Sequence, residues 1–136
     1  MRHRRRVVVD TNVLISRLLV PGSVPGRAVR KAVDEEVLLV SEATLDELAT
    51  VLARPKFDAY VSLEDRQHFI LQVARIAEFV PVLRRVEACR DPNDDKFLEV
   101  AINGDAELII TGNNDLLALH PFMQIPIIRP ADFLDT

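Results

Sequence analysis

The stretch Val7-Val8-Val9-Asp10-Thr11-Asn12-Val13-Leu14-Ile15-Ser16 holds the key to the fold. Its first three residues form a short apolar run that reads as a strand, and Asp10 ends it. From Thr11 the pattern changes: Val13, Leu14, Leu18 and Leu19 recur at helical spacing until Pro21-Gly22, where a helix stops. Strand, single acid, helix is the start of an alternation that continues along the whole chain. Further strands are expected at Val37–Val40, 108–111 and 125–128, with a weaker one at 79–83 that Pro81 pushes to an edge or a connection.

Helical patterns fill the intervals. Pro25 opens one that runs to about Glu35. The segment 42–53 sets Leu45, Leu48, Val51 and Leu52 on one face behind Ser41 as N-cap. Ser62-Leu63-Glu64-Asp65 resembles a capping box and starts a helix that ends near Glu78. Asp91 and Pro92 suit the N-cap and first position of a helix that buries Phe97, Leu98, Ala101 and Ile102 and stops at Gly104. Shorter helical turns are expected at 113–119 and 131–134. Strands alternating with helices in this way predict an α/β fold with a parallel sheet.

A chain of 136 residues can bury about two-thirds of its unfolded surface, and no repeat or long linker divides it, so one domain over 1–136 is expected. No run approaches the roughly 18 apolar residues of a membrane helix, and Val7-Val8-Val9 is too short for a signal sequence, so neither a membrane nor an export route is expected. Cys89 is the sole cysteine, which excludes an intrachain disulfide and suits a reduced, cytoplasmic protein. The net charge of -4 advertises no nucleic-acid partner in bulk. The basic groups that do cluster, Arg2 with Arg4, Arg5 and Arg6, and Arg27 with Arg30 and Lys31, read as solvated faces.

In an open α/β sheet, ligands gather beyond the carboxyl ends of the strands. Five acids are expected at that edge: Asp10 after the first strand, Glu47 in the helix after the second, Asp94 and Asp95 at the start of a helix, and Asp115 after the fourth strand. Each has a plain structural alternative. Asp10 or Asp115 could cap a helix, Glu47 could be a solvated helix residue, and Asp94 or Asp95 could satisfy first-turn amides or the helix dipole. Their joint placement is what those alternatives leave unexplained. Like charges about 4 Å apart repel by roughly 4 kcal/mol at an effective dielectric near 20, and no lysine or arginine is expected to neutralise them. Mg²⁺ or Mn²⁺ would do so, since both prefer carboxylate and water oxygens, and such a site suits hydrolysis of a phosphodiester. His3, His68 and His120 fall away from this edge.

Four segments in register carry a resemblance: 7–16, quoted above; Ser41-Glu42 through Leu45-Asp46-Glu47-Leu48 to Arg54-Pro55-Lys56-Phe57; Arg90-Asp91-Pro92-Asn93-Asp94-Asp95-Lys96-Phe97-Leu98; and Ile109-Ile110-Thr111-Gly112 through Asp115-Leu116-Leu117. The chain resembles the PIN domain family, in the branch of toxin components of toxin–antitoxin pairs. The resemblance implies a three-layer α/β/α sandwich around a parallel sheet of four to five strands, with a Mg²⁺- or Mn²⁺-dependent endoribonuclease site. By position it implies catalytic acids at Asp10, Glu47, Asp95 and Asp115, and metal ligation by Asp10, Asp95 and Asp115, with Asp94 the rival of Asp95. Asn12, Thr111 and Asn113 would form the supporting shell. The family reads Thr-Gly-Asp-x-Asp where this chain has Thr111-Gly112-Asn113-Asn114-Asp115, so Asn113 replaces one acid and brings no charge. Arg54 and Lys56, and also Arg27 and Arg30, are candidates for binding substrate phosphates. The resemblance further implies an RNA substrate, an antitoxin partner and a homodimer.

Two other kinds of domain that gather acids at this edge fit poorly. A haloacid-dehalogenase-type phosphatase needs a second Asp where Asn12 stands, and a response-regulator receiver needs a lysine that Thr111-Gly112-Asn113 does not supply. The alternative from a different class is a catalytically weakened PIN fold that binds RNA or protein, which Asn113 favours and the retained acids oppose.

Overall fold

The computed structural model describes residues 3–136, in which five short strands form one sheet. These are β1 (Arg6–Val9), β2 (Val37–Val40), β3 (Glu78–Phe79), β4 (Leu108–Ile110) and β5 (Ile127–Ile128). Their order is β3-β2-β1-β4-β5 and every pairing is parallel, with Val7 opposite Leu38 on one side and Leu108 on the other. Order reverses between β1 and β4, which makes the carboxyl ends of those two strands the place where loops diverge and a cleft opens.

The helices are α1 (Thr11–Leu19), α2 (Val24–Glu35), α3 (Glu42–Leu52), α4 (Leu63–Ile76), α5 (Asp95–Asn103), α6 (Asn114–Leu117) and α7 (Pro130–Leu134). The two-residue period of the strands sends alternate side chains to opposite faces. Val7, Val9, Leu38, Val40, Leu108 and Ile110 pack with α1, α2, α3 and Phe133 of α7. Val8, Leu39 and Ile109 pack with Phe97, Leu98, Val100 and Ala101 of α5 and Leu116 of α6. Helices therefore cover both faces, and the α/β/α sandwich is the observed architecture. No helix among the described residues is long and apolar enough to cross a membrane.

Several boundaries move for identifiable reasons. Ser23, ahead of Pro25, caps α2 by accepting from the Gly26 amide at 3.1 Å. The helix expected to begin at Pro92 is preceded by a 3₁₀ turn, Pro92–Asp94. There Asp91 accepts from the Asn93 amide at 3.0 Å and its carbonyl from the Asp94 amide at 3.0 Å, bonds too short in sequence for α geometry. Only Ile127 and Ile128 of the expected last strand join the sheet, because Ile125 bridges back to Phe122 in antiparallel fashion. The doubtful segment at 79–83 contributes its first residue, with Glu78, to the edge strand β3, and Pro81 follows it.

The N-terminal basic cluster lies at the opposite end of the sheet from the cleft. Arg5 Nε donates to Glu36 Oε2 at 2.6 Å, Arg6 pairs with Glu78, and Arg4 caps carbonyls of Asp34 and Glu36 at 3.2 and 3.1 Å. These arginines fasten β1 to its neighbours; Arg2 lies outside the described residues. Lys31 likewise binds the Phe133 and Thr136 carbonyls at 2.9 and 2.7 Å, holding α7 against α2.

Candidate active site

Beyond β1 and β4 lies a cleft of about 550 Å³ lined by Asp10, Asn12, Glu47, Arg54, Asp94 and Asn113 among others. Asp10 extends the β1–β4 ladder by donating its amide to the Ile110 carbonyl at 3.1 Å. Its carboxylate then accepts from the Val13 amide at 2.9 Å, which caps α1, and from the Thr111 hydroxyl. The helix cap and a place in the cleft lining thus fall on the same side chain. Burial pushes the Asp10 carboxyl above its ordinary range, against the pull of bonds from Thr111, Val13 and Gly112, and the nearby Glu47 charge adds to the rise.

A chain of hydrogen bonds joins Asp10 to the far wall. Thr111 is fully buried; its hydroxyl donates to Asp10 and accepts from the Asn113 amide at 2.9 Å. The Asn113 side chain caps α6 by accepting from the Asp115 amide at 2.8 Å, while its Nδ2 donates to Asp94 Oδ2 at 3.0 Å. The Asp94 carboxyl is raised, first by burial and then by the charges of Asp91, Glu47 and Asp115, with only the Asn113 bond opposing. Asp115 therefore stands close enough to act on Asp94 electrostatically, although it does not line the cleft.

Asp95 is placed elsewhere. The two acids are adjacent in sequence, so a helical step of about 100° turns one away when the other faces the cleft. Asp95 is buried and accepts from the amides of Cys89 at 2.7 Å and Ala88 at 3.1 Å. Burial alone would raise its carboxyl, but those amides and the Cys89 thiol hold it below the ordinary value of 3.8. Burial first, and then the same contact with Asp95, push the Cys89 thiol up to about 12. Asp95 thus anchors the loop before α5, and Asp94 occupies the cleft position.

Glu47 carries a partner that the sequence reading left out. Lys96, the second residue of α5, donates to Glu47 Oε1 at 3.0 Å, and the Thr11 hydroxyl donates to Oε2. A lysine in the first turn of a helix runs against the helix dipole, and that anomaly was the available signal. Of the basic candidates, Arg54 lines the cleft, whereas the Lys56 ammonium sits over the Phe57 ring at 5.1 Å and Arg30 pairs with Asp34 at 3.6 Å. Neither Lys56, Arg27 nor Arg30 lines the cleft.

The donors suit a hard divalent cation in kind, since carboxylate and amide oxygens are what Mg²⁺ and Mn²⁺ take. Among the described residues no three Asp, Glu, His or Cys side chains come together as a metal-binding group. The fit is therefore to an ion held by one or two carboxylates with water and phosphate completing its shell. Asp10 and Asp94, both pushed toward protonation and neither in an ion pair among the described residues, are the carboxylates that such a charge would relieve.

A doubly wound parallel sheet with acids gathered at its switch point defines the general class. The PIN domain profile matches residues 6–115, and the chain belongs to this family of nucleases. It is 34% identical over 120 residues to the uncharacterized protein MJ1680 of Methanocaldococcus jannaschii, covering 85% of this chain and 75% of that protein. Among solved structures it is similar to PAE2754 from Pyrobaculum aerophilum, with a TM-score of 0.61 at 17% identity over 97% of this chain and 91% of the other. It also resembles VapBC2 from Rickettsia felis, solved bound to a DNA fragment from their promoter, with a TM-score of 0.55 at 15% identity over 91% and 96% of the two chains. At those identities the two structures speak for the fold.

Proposed function

We propose that this chain is a Mg²⁺- or Mn²⁺-dependent endoribonuclease with its site at Asp10, Glu47, Asp94 and Asn113, acting in the cytoplasm as the toxin of a toxin–antitoxin pair. The observation that carries the reading is the pair of carboxylates, Asp10 and Asp94, which line one cleft, are linked through Thr111 and Asn113, and are each pushed up by burial and by the Glu47 charge. Asp94 here takes the place expected of Asp95, because Asp95 is committed to the Ala88 and Cys89 amides. Asp115 supports the site through its charge.

When bound, a divalent ion supplies the Lewis acidity that activates water and offsets charge on the phosphate. The chain's own residues do the rest. Thr111 holds the Asp10 carboxylate in one orientation, Asn113 holds Asp94, and Thr11 with Lys96 holds Glu47. Arg54 at the mouth is placed to bind a substrate phosphate, a role for which its fixed guanidinium fork is suited. The likeness to VapBC2 and the resemblance noted in the sequence support the toxin setting, and a homodimer belongs to the same proposal.

Cleavage of a panel of single-stranded RNAs, with Mg²⁺ or Mn²⁺ against EDTA, tests it. Metal-dependent cleavage lost in Asp10→Asn is expected. Folded, partner-free protein that cleaves nothing with either ion would instead favour the second reading, a binding module. That reading has one observation behind it: the neutral Asn113 spends its Nδ2 on Asp94.

A further inference from the structure

Glu47 is not in the same condition as the other acids of the cleft. Each of its oxygens already has a donor, Lys96 Nζ on Oε1 and the Thr11 hydroxyl on Oε2, and the Lys96 and Glu47 side chains are both only 22% exposed. Asp10 and Asp94 have hydrogen-bond donors but no cation among the described residues. Asn113 adds no charge between them. With Glu47 paired to Lys96, Asp10 and Asp94 are the lining carboxylates with no ion-pair partner among the described residues, and Arg54 lines the same cleft.

We propose that Lys96 is a resident counter-cation that takes the place of a second metal ion beside Glu47, so that the cleft binds one divalent ion, on the side of Asp10 and Asp94. The ammonium is carried by α5, the helix that follows Asp94, and its bond to Glu47 holds it at that end of the cleft. Lys96 is a positioning residue in this scheme: it holds the Glu47 carboxylate through an ion pair and keeps a fixed positive charge at that end of the cleft. The inference rests on the metal-dependent reading above.

The test is a titration of the metal-free full chain with Mn²⁺ alone, read by calorimetry for stoichiometry and by the electron paramagnetic resonance signal of free Mn²⁺. Wild type is expected to take one ion per chain. Lys96→Gln, once circular dichroism shows it folded, is expected to take a second ion or to tighten the first by about tenfold, since a repelling charge is gone. Lys96→Arg keeps the charge and should keep the wild-type count. Glu47→Gln serves as an independent variant of opposite sign: it leaves the Lys96 charge unpaired and should weaken the single ion by about tenfold without changing the count. Two ions of similar affinity on wild type, Lys96→Gln that binds Mn²⁺ as wild type does, or tighter binding in Glu47→Gln would overturn the role of Lys96 while leaving a metal-dependent nuclease standing. No Mn²⁺ binding by folded wild type would overturn both.

Discussion

Replacing Asn113 by Asp should unfold the metal-free protein more easily and make it regain stability on binding a cation. The change alters charge and little else: Asp is as good an N-cap as Asn, so the bond from the Asp115 amide to position 113 survives. What is lost is the Nδ2 donor 3.0 Å from Asp94 Oδ2, a hydrogen bond to a charged group worth about 1.5–3 kcal/mol. What is gained is a carboxylate facing a carboxylate, roughly 4 kcal/mol at about 4 Å and an effective dielectric near 20. Both side chains are half-buried, so solvent screening and proton uptake relieve much of that sum. A net loss of about 2–3 kcal/mol remains, which for a chain of this length lowers Tm by roughly 6–12 °C. Thermal melts of wild type and Asn113→Asp in EDTA at pH 7 measure it. Mn²⁺ at about a hundred times the variant's Kd stabilises it by some 2.7 kcal/mol, and at equal Mn²⁺ the gap to wild type narrows by the extra affinity that the added carboxylate brings. Acidification toward pH 5 should narrow the gap as well, because a carboxylate pair crowded in the folded state binds a proton more tightly there. A variant that melts with wild type in EDTA, or that neither Mn²⁺ nor acid rescues, would refute the placement of Asn113 against Asp94.

Three further outcomes follow from the same geometry. The Asp10 carboxyl is raised in the fold, so wild type is favoured at low pH and loses that contribution as pH climbs through the folded value; Asp10→Asn has no such loss. In EDTA its Tm relative to wild type should therefore improve from pH 4 to pH 7, and a flat or opposite trend in a pH series of melts would count against buried strain at Asp10. The Asp95 carboxyl is depressed, so its contribution is present above the ordinary value of 3.8 and is lost as pH falls through the folded value. Asp95→Asn should cost about 1–2 kcal/mol near neutral pH, converge with wild type in acid, and retain cleavage once folded, whereas Asp94→Asn should abolish cleavage. Arg54→Ala should raise KM for RNA by about tenfold with kcat nearly kept, as expected for a phosphate contact at the rim, and an unchanged KM would remove Arg54 from the substrate path.

Much of the fold was legible because the signals were local. Val7-Val8-Val9 and Val37–Val40 read as strands from a few adjacent residues, and Ser41 and Ser62 marked helix starts by bonds spanning three residues, to Thr44 and Asp65. The misplaced boundaries were those where a local signal had two outlets. Asp91 and Pro92 suit a helix start and a 3₁₀ turn equally, and the choice depended on whether the next backbone bonds closed over three residues or four. Ile125 is as apolar as Ile127, yet a tight antiparallel bridge to Phe122 claims its amide before the sheet can.

The site divides along the same line. That acids would collect beyond β1 and β4 followed from topology, since a parallel sheet wound both ways opens at that edge whatever its residues are. Which acids face inward did not follow, because that is settled by partners remote in the chain or by the phase of a single turn. Asp94 and Asp95 are chemically identical neighbours. They differ because the loop carrying Ala88 and Cys89 folds its amides over one of them, and a carboxylate satisfied by two amides is held charged without any ion. Lys96 and Glu47 lie 49 residues apart, and no periodicity announces their meeting. Yet that pair changes the charge arithmetic on which a metal site was inferred: counting acids along the sequence overstates the need for cations, and the count that matters is of carboxylates that the fold pushes toward protonation and leaves outside any ion pair among the described residues. Asp10 and Asp94 survive that count, and Glu47 and Asp95 do not.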